Sequence, residues 1–250
     1  EQQYNCLDQH LLPALREAGV WLHSRDELDA EEREWLENYF RTEVEPVLSP
    51  IGLDPARPFP RLQNKSLNFA VRLSGKDAFG RDSELAIVQA PRSLPRVVSL
   101  PRRARARGFV LLSAIVAEFM PLLFPGMTVH GTWQFRVTRN SDLFVDDEEV
   151  DDLRRALEGE LAQRRYGAAV RLETAADCPE DVTTFLLQQF SLGPRDHYRA
   201  PGPVNLNRLS AIYDLVGHSD LKFPPFAPAP LPNATAATDL FTQIREGDLL

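Results

Sequence analysis

The sequence predicts an α+β protein with a mainly antiparallel sheet and flanking helices, preceded by an antiparallel pair of helices. Five short segments alternate apolar and polar residues, as strands with one buried face do, and helical patterns surround them. The loop between the first two segments is typical of a hairpin, which implies antiparallel pairing. Two proline-rich stretches, within residues 46–60 and 224–232, mark changes in organisation along the chain.

Two helices are predicted before the first proline-rich stretch. Residues 1–18 carry apolar side chains at helical spacing, namely Tyr4, Leu7, Leu11, Leu12 and Leu15. Gly19 supplies the stop, and Asp29 with Glu32 forms a capping box that starts the next helix. That helix presents an apolar stripe of Trp35, Leu36, Tyr39 and Phe40. We expect the two helices to pack as an antiparallel pair.

The remaining elements follow from alternation, helical periodicity and turn signals. The prolines of residues 46–60 forbid a helix and indicate an extended connection. The predicted strands are residues 67–73, 84–91, 96–100, 133–140 and 168–173. Residues 75–84 form the hairpin loop, and residues 101–109, PRRARARGF, form a basic loop. The later predicted helices are residues 113–124, 147–166, 179–192 and about 236–246.

Composition limits the function classes. The net charge of −8 and the absence of aromatic residues among the basic runs argue against nucleic acid as a partner. The histidines and the cysteines Cys6 and Cys178 are scattered, which predicts no zinc site and fits a reducing compartment. No apolar stretch reaches the length of a transmembrane helix. Both ends of the chain interrupt helical patterns, so we expect a fragment of a longer protein.

Several stretches together resemble the bacterial polyphosphate kinase family of the long, histidine-phosphorylating type. PVLSPIGLDPARPFPRLQNKSLNFAV, residues 46–71, resembles the segment that begins the head domain of that family. LFPGMTV and WQFRVTRNSDL are similar to a helix end and a strand of the same domain. GPVNLNRL, DLKFPPF and FTQIREGDLL look like the passage into the first catalytic domain. The similarity therefore runs in order along almost the whole chain.

The resemblance implies a modular layout. Residues 1–45 would be the last helices of an N-terminal helical domain, and residues 46–226 a head domain with a phox-homology-like fold. Residues 227–250 would be a linker and the start of a truncated, phospholipase-D-like catalytic domain. The implied partners are the remaining domains of the same chain, a second copy of the parent in a homo-oligomer, and polyphosphate. The implied location is the cytoplasm, with membrane association as part of a complex.

The family reversibly transfers the terminal phosphate of ATP to polyphosphate through a phosphohistidine, with Mg²⁺. The resemblance places the nucleophilic histidine, its partner histidine and the metal ligands downstream of this chain. We therefore expect no catalytic residue, no metal site and no cofactor in the fragment, with ATP and Mg²⁺ used by the parent. The fragment would serve domain packing, dimerisation and polyphosphate channelling.

Candidate phosphate contacts lie at the end of the WQFRVTRN strand. Alternation sends Arg136 to the face opposite Trp133, Phe135 and Val137, and Arg139 and Asn140 stand at the strand end. Guanidinium groups bind phosphate oxygens in a bidentate way. The alternative is structural: salt bridges to acids such as Asp142, with Asn140 in a turn of positive φ.

Other basic and aromatic residues have the same two interpretations. Arg61 and Asn64, beside Lys65, either anchor the proline-rich connection or border a catalytic cavity. The basic-loop candidates Arg102, Arg103, Arg105 and Arg107 are either solvated or attract a polyanion. Lys222, Phe223 and Phe226 are candidate domain-packing contacts. The acids of residues 146–152 are explained by the start of a helix, so we predict no metal there.

Two further function classes remain open from sequence alone. A free-standing phox-like module would bind phosphoinositide or another anion through the basic loop, although fold does not determine function. A purely structural spacer is the third class. Liposome sedimentation separates the first of these from the kinase fragment, because lipid-dependent pelleting would favour the binding module.

Overall fold

The computed structural model describes residues 1–54, 58–76, 80, 83–101, 107–140, 167–217, 219–227 and 240–246. Its backbone contacts divide the chain into two units, Glu1–Val216 and Gly217–Leu250. The first unit contains all the strands that are described and most of the helices. The second contains the short helical turn Ser219–Leu221 and one α-helix.

The helices follow the chain in this order: α1 (Gln2–Cys6, continuing through the π-helical Leu7–Leu11 into Leu12–Glu17), α2 (Ala30–Tyr39, continuing as the π-helical Phe40–Val44), α3 (Leu112–Glu118), α4 (Glu180–Gln189), α5 (Ser210–Leu215) and α6 (Leu240–Glu246). Short 3₁₀ turns connect them at Arg25–Glu27, Glu45–Val47, Met120–Leu123, Pro194–Asp196 and Leu206–Leu209. Among the described residues, no helix is both long and apolar enough to cross a membrane.

The strands are β1 (Val20–His23), β2 (Ser49–Gly52), β3 (Leu67–Gly75), β4 (Leu85–Ala90), β5 (Val97–Ser99), β6 (Arg107–Leu111), β7 (Met127–Arg139), β8 (Ala169–Ala175) and β9 (His197–Ala200). They form a six-stranded sheet in the order β2-β4-β3-β7-β8-β9, antiparallel except for the parallel β8–β9 pair. A three-stranded sheet has the order β1-β6-β5, with β1 parallel to β6. This mixture of sheets and helices confirms the predicted α+β class.

The predicted end of the first helix and the predicted start of the second are confirmed in detail. Asp29 Oδ1 accepts the Glu32 backbone N–H at 2.9 Å, and Glu32 Oε2 accepts the Asp29 backbone N–H at 3.1 Å. This reciprocal pair satisfies two backbone donors that have no partner within the helix. Gly19 follows α1 at φ +78°, a left-handed conformation that glycine adopts without a steric penalty.

Four strands and one helix were not predicted: β1, β2, β6, β9 and α5. β1, β2 and β9 have four residues each, too few for alternation to be distinct from background. β2 contains Pro50 and is an edge strand, the position where a missing N–H costs no ladder hydrogen bond. β1 lies between α1 and α2, so the two predicted helices are present but a strand separates them.

Predicted boundaries were wrong in several places, and β7, for example, begins at Met127 rather than at Trp133. Arg107, Gly108 and Phe109 were predicted in the basic loop but begin β6, because the Arg107 N–H donates to the Gly19 carbonyl at 2.9 Å. Their pairing partner β1 is remote in sequence, and no local pattern reveals it. The helix predicted at 113–124 ends at Glu118, and a 3₁₀ turn containing Pro121 follows. The helix predicted at 147–166 lies outside the described residues.

The six-stranded sheet is buried on both faces. One face contributes Phe69 and Val71 to a core with α2 and α3. The other contributes Phe135 and Val137 to a core with α4. The three-stranded sheet packs against α5 through Val20, Val97, Phe109, Ile212 and Val216. Gln134 and Arg136 of β7 lie on the face opposite Phe135 and Val137, and both line the candidate site.

Candidate anion-binding cleft

A cleft of about 480 Å³, including solvent at its mouth, collects basic side chains from separate parts of the first unit. Its cations are Lys65, just before β3; Arg96, just before β5; Arg136 on β7; and Arg208 in the 3₁₀ turn Leu206–Leu209. Neutral polar residues line it as well, namely Ser66, Ser113, Gln134 and Asn205. The described lining contains no aspartate or glutamate, so the arrangement favours a negatively charged ligand.

Arg136 reaches the cleft because of strand alternation. Its neighbours Phe135 and Val137 are fully buried on the opposite face of the sheet. Arg136 is the cross-strand partner of Glu173 on β8, and its Nε lies 3.0 Å from Glu173 Oε2. These two atoms are not aligned as a hydrogen bond, and both count as buried atoms without one. The charge of Arg136 is therefore partly compensated, while its hydrogen-bonding capacity is not fully used.

Arg96 is partly buried and has no acidic partner among the described residues. Its Nη1 is buried and has no hydrogen-bond partner, and its Nη2 makes a long contact of 3.4 Å to the Ala90 carbonyl. Burial, with the nearby charges of Arg208 and Arg92, lowers the pKa of Arg96 to about 10. Its backbone is fixed, because its carbonyl accepts the Leu112 N–H at 3.0 Å. Buried donors are normally paired, so this one calls for an explanation.

Lys65 and Arg208 occupy the more exposed part of the cleft. Within the part of the chain that the structure describes, neither side chain makes a hydrogen bond or an ion pair. Lys65 has φ +54°, and Asn205, which begins the turn that carries Arg208, has φ +74°. Positive φ is uncommon outside glycine, and such backbone is concentrated at functional sites. The backbone N–H of Lys65 is held by the Val137 carbonyl at 2.8 Å.

The segment beside the cleft is supported by α1. The hydroxyl of Tyr4 donates to the Pro203 carbonyl at 3.0 Å, and Pro203 lines the cleft. A Cβ on Gly202 would lie 2.9 Å from Tyr4 Cδ1, so only glycine permits this approach. Burial, followed by the charge of Glu173, raises the pKa of Tyr4. The first helix thus holds one wall of the cleft in place.

Arg139 and the residues around it form a separate structural cluster and do not line the cleft. Arg139 Nε donates to the Leu62 carbonyl at 3.0 Å, and Nη1 donates to the Gly167 carbonyl at 2.9 Å. The Arg139 N–H donates to Asn64 Oδ1 at 2.9 Å. The guanidinium also lies 5.7 Å from the ring centroid of Phe190. These contacts fix the end of β7 against its neighbours.

Asn140 differs from its expected conformation. The structural alternative for Asn140 was a turn of positive φ, but Asn140 is not among the described residues that have positive φ. The backbone N–H of Asn140 donates to the Ala168 carbonyl at 2.8 Å, which extends the pairing of β7 with β8. Asn64 is likewise occupied, since its carbonyl accepts Arg92 Nη2 at 2.6 Å in addition to the contact with Arg139. Asp142, the predicted ion-pair partner, lies outside the described residues.

The other predicted candidates fall elsewhere. Arg61 is exposed and does not line the cleft. Arg107 lies in β6, with Nη1 donating to the Leu215 carbonyl at 2.8 Å. In the second unit, Phe223 and Phe226 are 93% and 89% exposed, and Lys222 is exposed too. Arg102, Arg103, Arg105 and the acids of residues 146–152 lie outside the described residues. Within the described ranges, no group of histidine, cysteine and acidic residues has the arrangement of a metal site.

Sequence reasoning identified Arg136 but missed Arg96 and Arg208. Arg96 precedes a three-residue strand, and Arg208 lies within GPVNLNRL, so each is a single arginine without a local pattern. Their proximity depends on the pairing of β5 with β6 and on the path of residues 201–209, which connect distant parts of the sequence. The weak signals available were the polar insertion NLNR and an arginine at the start of an apolar strand.

The fold and the cleft define an α+β module with a cleft whose described lining contains cations and no acids. Residues 31–212 match the family described as the polyphosphate kinase middle domain, and the chain belongs to that family. It is 51% identical over 251 residues to a polyphosphate kinase of Xylella fastidiosa strain 9a5c, covering 99% of this chain. It is also 51% identical to a polyphosphate kinase of Burkholderia multivorans.

A solved structure supports the fold assignment. The crystal structure of polyphosphate kinase from Porphyromonas gingivalis aligns with a TM-score of 0.69 at 23% identity, over 91% of this chain and 32% of that one. This likeness concerns the fold. The chain spans 36% of the length of the Xylella and Burkholderia relatives. It therefore corresponds to a middle part of longer proteins.

Proposed function

We propose that this chain is the head portion of a polyphosphate kinase. In this proposal residues 1–45 end an N-terminal helical domain, residues 46–226 form the head domain, and residues 227–250 lead into a catalytic domain. The parent reversibly transfers the terminal phosphate of ATP to polyphosphate through a phosphohistidine. The observation that carries the proposal is the 51% identity over 99% of the chain to a protein of which it covers 36%.

The head portion serves the parent without performing the transfer. The resemblance assigns the nucleophilic histidine and the metal ligands to sequence beyond residue 250. The cleft does not suit Mg²⁺, because its charged residues are cations and a hard divalent ion needs oxygen ligands, usually carboxylates. The same cations suit phosphate groups of ATP or polyphosphate. We therefore assign no step of the transfer to residues of this chain.

Packing and subunit contacts form the second part of the proposal. Phe223 and Phe226 expose nearly their whole side chains, and exposed aromatic residues are enriched in protein interfaces. With Lys222 they are proposed contacts to other domains of the parent or to a second copy. Arg61 and the arginines at 102, 103, 105 and 107 are proposed to attract polyphosphate. From the resemblance to the family we also propose a cytoplasmic location, with membrane association through a complex.

A domain exchange tests the proposed function. The matching segment of the Xylella fastidiosa enzyme is replaced by this chain, and ATP-dependent synthesis of polyphosphate is measured. We expect the hybrid to retain activity, because chains that are 51% identical share the same core fold. A folded hybrid without activity would contradict the proposal. The isolated chain is expected to give no turnover, and measurable turnover would refute the downstream position of the reacting histidine.

The hybrid needs a control for the requirement of a folded head. Phe135 is fully buried between β7 and α4, so Phe135→Asp places a charge in the core. This variant is expected to abolish both soluble hybrid and activity. The alternative of a free-standing phosphoinositide module is not favoured, because the similarity extends into much longer relatives. Phosphoinositide-dependent pelleting of the chain with liposomes would support it.

A further inference from the structure

We propose that the cleft around Arg96 is a phosphate-binding site, taking a phosphate group of a condensed inorganic phosphate or of a nucleotide. The inference rests on the proposed function only for this choice of ligands. The site itself follows from the chemistry of Lys65, Arg96, Arg136 and Arg208. It is distinct from the predicted phosphate contacts at Arg139 and Asn140, which are held by internal hydrogen bonds.

The charge of the cleft favours an anion. Four cations line it, although the net charge of the chain is −8. Glu173 contacts Arg136 but does not line the cleft. Glu173 is also shared, because Arg171 Nη2 donates to Glu173 Oε1 at 3.1 Å. Cationic side chains brought together at this density repel one another unless an anion is present. Burial, followed by the charges of Arg208 and Arg92, lowers the pKa of Arg96.

The second argument is the unpaired donor. Arg96 Nη1 is buried without a hydrogen-bond partner, although the Arg96 backbone is fixed by Leu112. Folding normally provides partners for such groups, and exceptions are associated with ligands or catalysis. A surface arginine would avoid this situation by turning into solvent. In this proposal the Arg96 side chain turns toward the cleft when the ligand binds, and an anionic oxygen then accepts from Nη1.

The third argument is the direction of the donors. Arg96 precedes β5, Arg136 lies on β7, and Arg208 lies in a 3₁₀ turn, so they approach from three elements. The tetrahedral oxygens of phosphate accept hydrogen bonds from several directions, whereas a planar carboxylate is satisfied by one guanidinium. Ser113 and Asn205 provide neutral donors beside them.

Isothermal titration of the 250-residue chain tests the site. The probes are pyrophosphate, tripolyphosphate and ADP, with citrate as a carboxylate control, each at about 50 mM and about 200 mM salt. We expect binding of at least one phosphate compound, weaker at the higher salt, and little binding of citrate. Tighter binding of pyrophosphate or tripolyphosphate would indicate an inorganic source, and tighter binding of ADP a nucleotide. Absence of binding by all three, or citrate binding as tight as theirs, would overturn the proposal.

Matched variants locate the site. Arg96→Met and Arg208→Met each remove one cleft cation and are expected to weaken binding at least about tenfold. Arg195→Met removes an exposed arginine outside the cleft and is expected to change affinity less than about twofold. Glu173→Gln releases Arg136 from its ion pair and is expected to strengthen binding a few-fold. Equal losses in Arg96→Met and Arg195→Met would show nonspecific attraction and refute the site.

Two readouts keep the two proposals separate. Arg96→Met must retain the melting temperature of the parent chain, so that weaker binding is not a folding defect. If that temperature drops sharply, the Arg208→Met result and a conservative Arg96→Lys variant with intermediate affinity decide the matter.

A hybrid kinase without activity would defeat the proposed function while leaving phosphate binding by the chain intact. An active hybrid with no phosphate binding by the chain would defeat the cleft alone.

Discussion

Arg96 and Arg139 are both half-buried arginines, but their surroundings differ. Arg139 donates to two backbone carbonyls, and its own N–H is held by Asn64. Arg96 has a buried Nη1 without a partner, and its nearest charges are other arginines. The difference teaches that burial of an arginine does not by itself indicate a structural role. An arginine whose donors are hydrogen-bonded within the fold has a structural role. An arginine with an unpaired buried donor is available to bind a ligand.

The comparison predicts its largest effect at the bracing arginine. Arg139→Met removes hydrogen bonds to the Leu62 and Gly167 carbonyls and leaves both acceptors without that donor. We expect a loss of about 2 kcal/mol in the free energy of unfolding, measured with denaturant. Arg61→Met is the matched control and is expected to stay within about 0.5 kcal/mol. Equal stability of the two variants would mean that the contacts of Arg139 brace nothing.

A smaller effect is expected at the wall of the cleft. Gly202→Ala places a Cβ about 2.9 Å from the ring of Tyr4, which has to move. We expect a loss of about 1 kcal/mol from this overpacking, together with weaker phosphate binding. Gly193→Ala is the control, since its added Cβ meets Asp196 at an ordinary 3.6 Å. An unchanged Gly202→Ala variant would show that α1 does not support the cleft.

His197 has a partly buried ring nitrogen with a hydrogen-bond partner, and its effect on stability is tested by the pH dependence of unfolding. Its ring lies 2.9 Å from Thr174 Oγ1, and burial, followed by the charge of Arg199, lowers the pKa of His197. In the unfolded chain the pKa of His197 has its ordinary value of about 6.5, so the unfolded chain binds this proton at a higher pH than the folded chain does. The free energy of unfolding should therefore fall as the pH drops from about 7 to 5 and be retained above that range.

The His197→Gln variant isolates this contribution. Glutamine keeps a hydrogen-bonding group near Thr174 but does not titrate, so its unfolding free energy should fall less steeply with acid. Denaturant unfolding at several pH values gives the difference between the two chains. Identical pH profiles would contradict a lowered pKa at His197. The effect is expected to be smaller than that of Arg139→Met.

The smallest effect on stability is expected at Arg96. Arg96→Met replaces a buried, uncompensated charge by an apolar side chain of similar length, so little favourable interaction is lost. We expect the free energy of unfolding to stay within about 0.5 kcal/mol of the parent chain or to rise. A loss as large as that of Arg139→Met would show that Arg96 braces the fold, and the contrast between the two residues would fail.

The sequence predicted most of what depends on local pattern. Alternation located β3, β4, β7 and β8, and the capping box located the start of α2, because these signals lie within a few residues of one another. It also predicted the side of β7 on which Arg136 stands. It missed β1, whose partner β6 is distant in sequence, and it placed Arg107 in a loop for the same reason.

The cleft was predictable only in part, because long-range pairing assembles it. Arg136 was identified from its strand, whereas Arg96 and Arg208 stand next to it through contacts that no local spacing encodes. The roles of Arg136 and Arg139 were also predicted together, and the structure separates them by face. A strand-end arginine can either donate to backbone carbonyls or face a cleft. For Arg139 the outcome depends on residues 62 and 167, which are remote from it in sequence.

A crystal structure of the chain with pyrophosphate is the most direct measurement. The account predicts a phosphate oxygen within about 2.7–3.2 Å of Arg96 Nη1, with Arg136 and Arg208 around the same group. It also predicts that Arg139 keeps its hydrogen bonds to the Leu62 and Gly167 carbonyls. A pyrophosphate bound at Arg139 or at the Arg107 region, with the Arg96 cleft unoccupied at saturating ligand, would contradict the account.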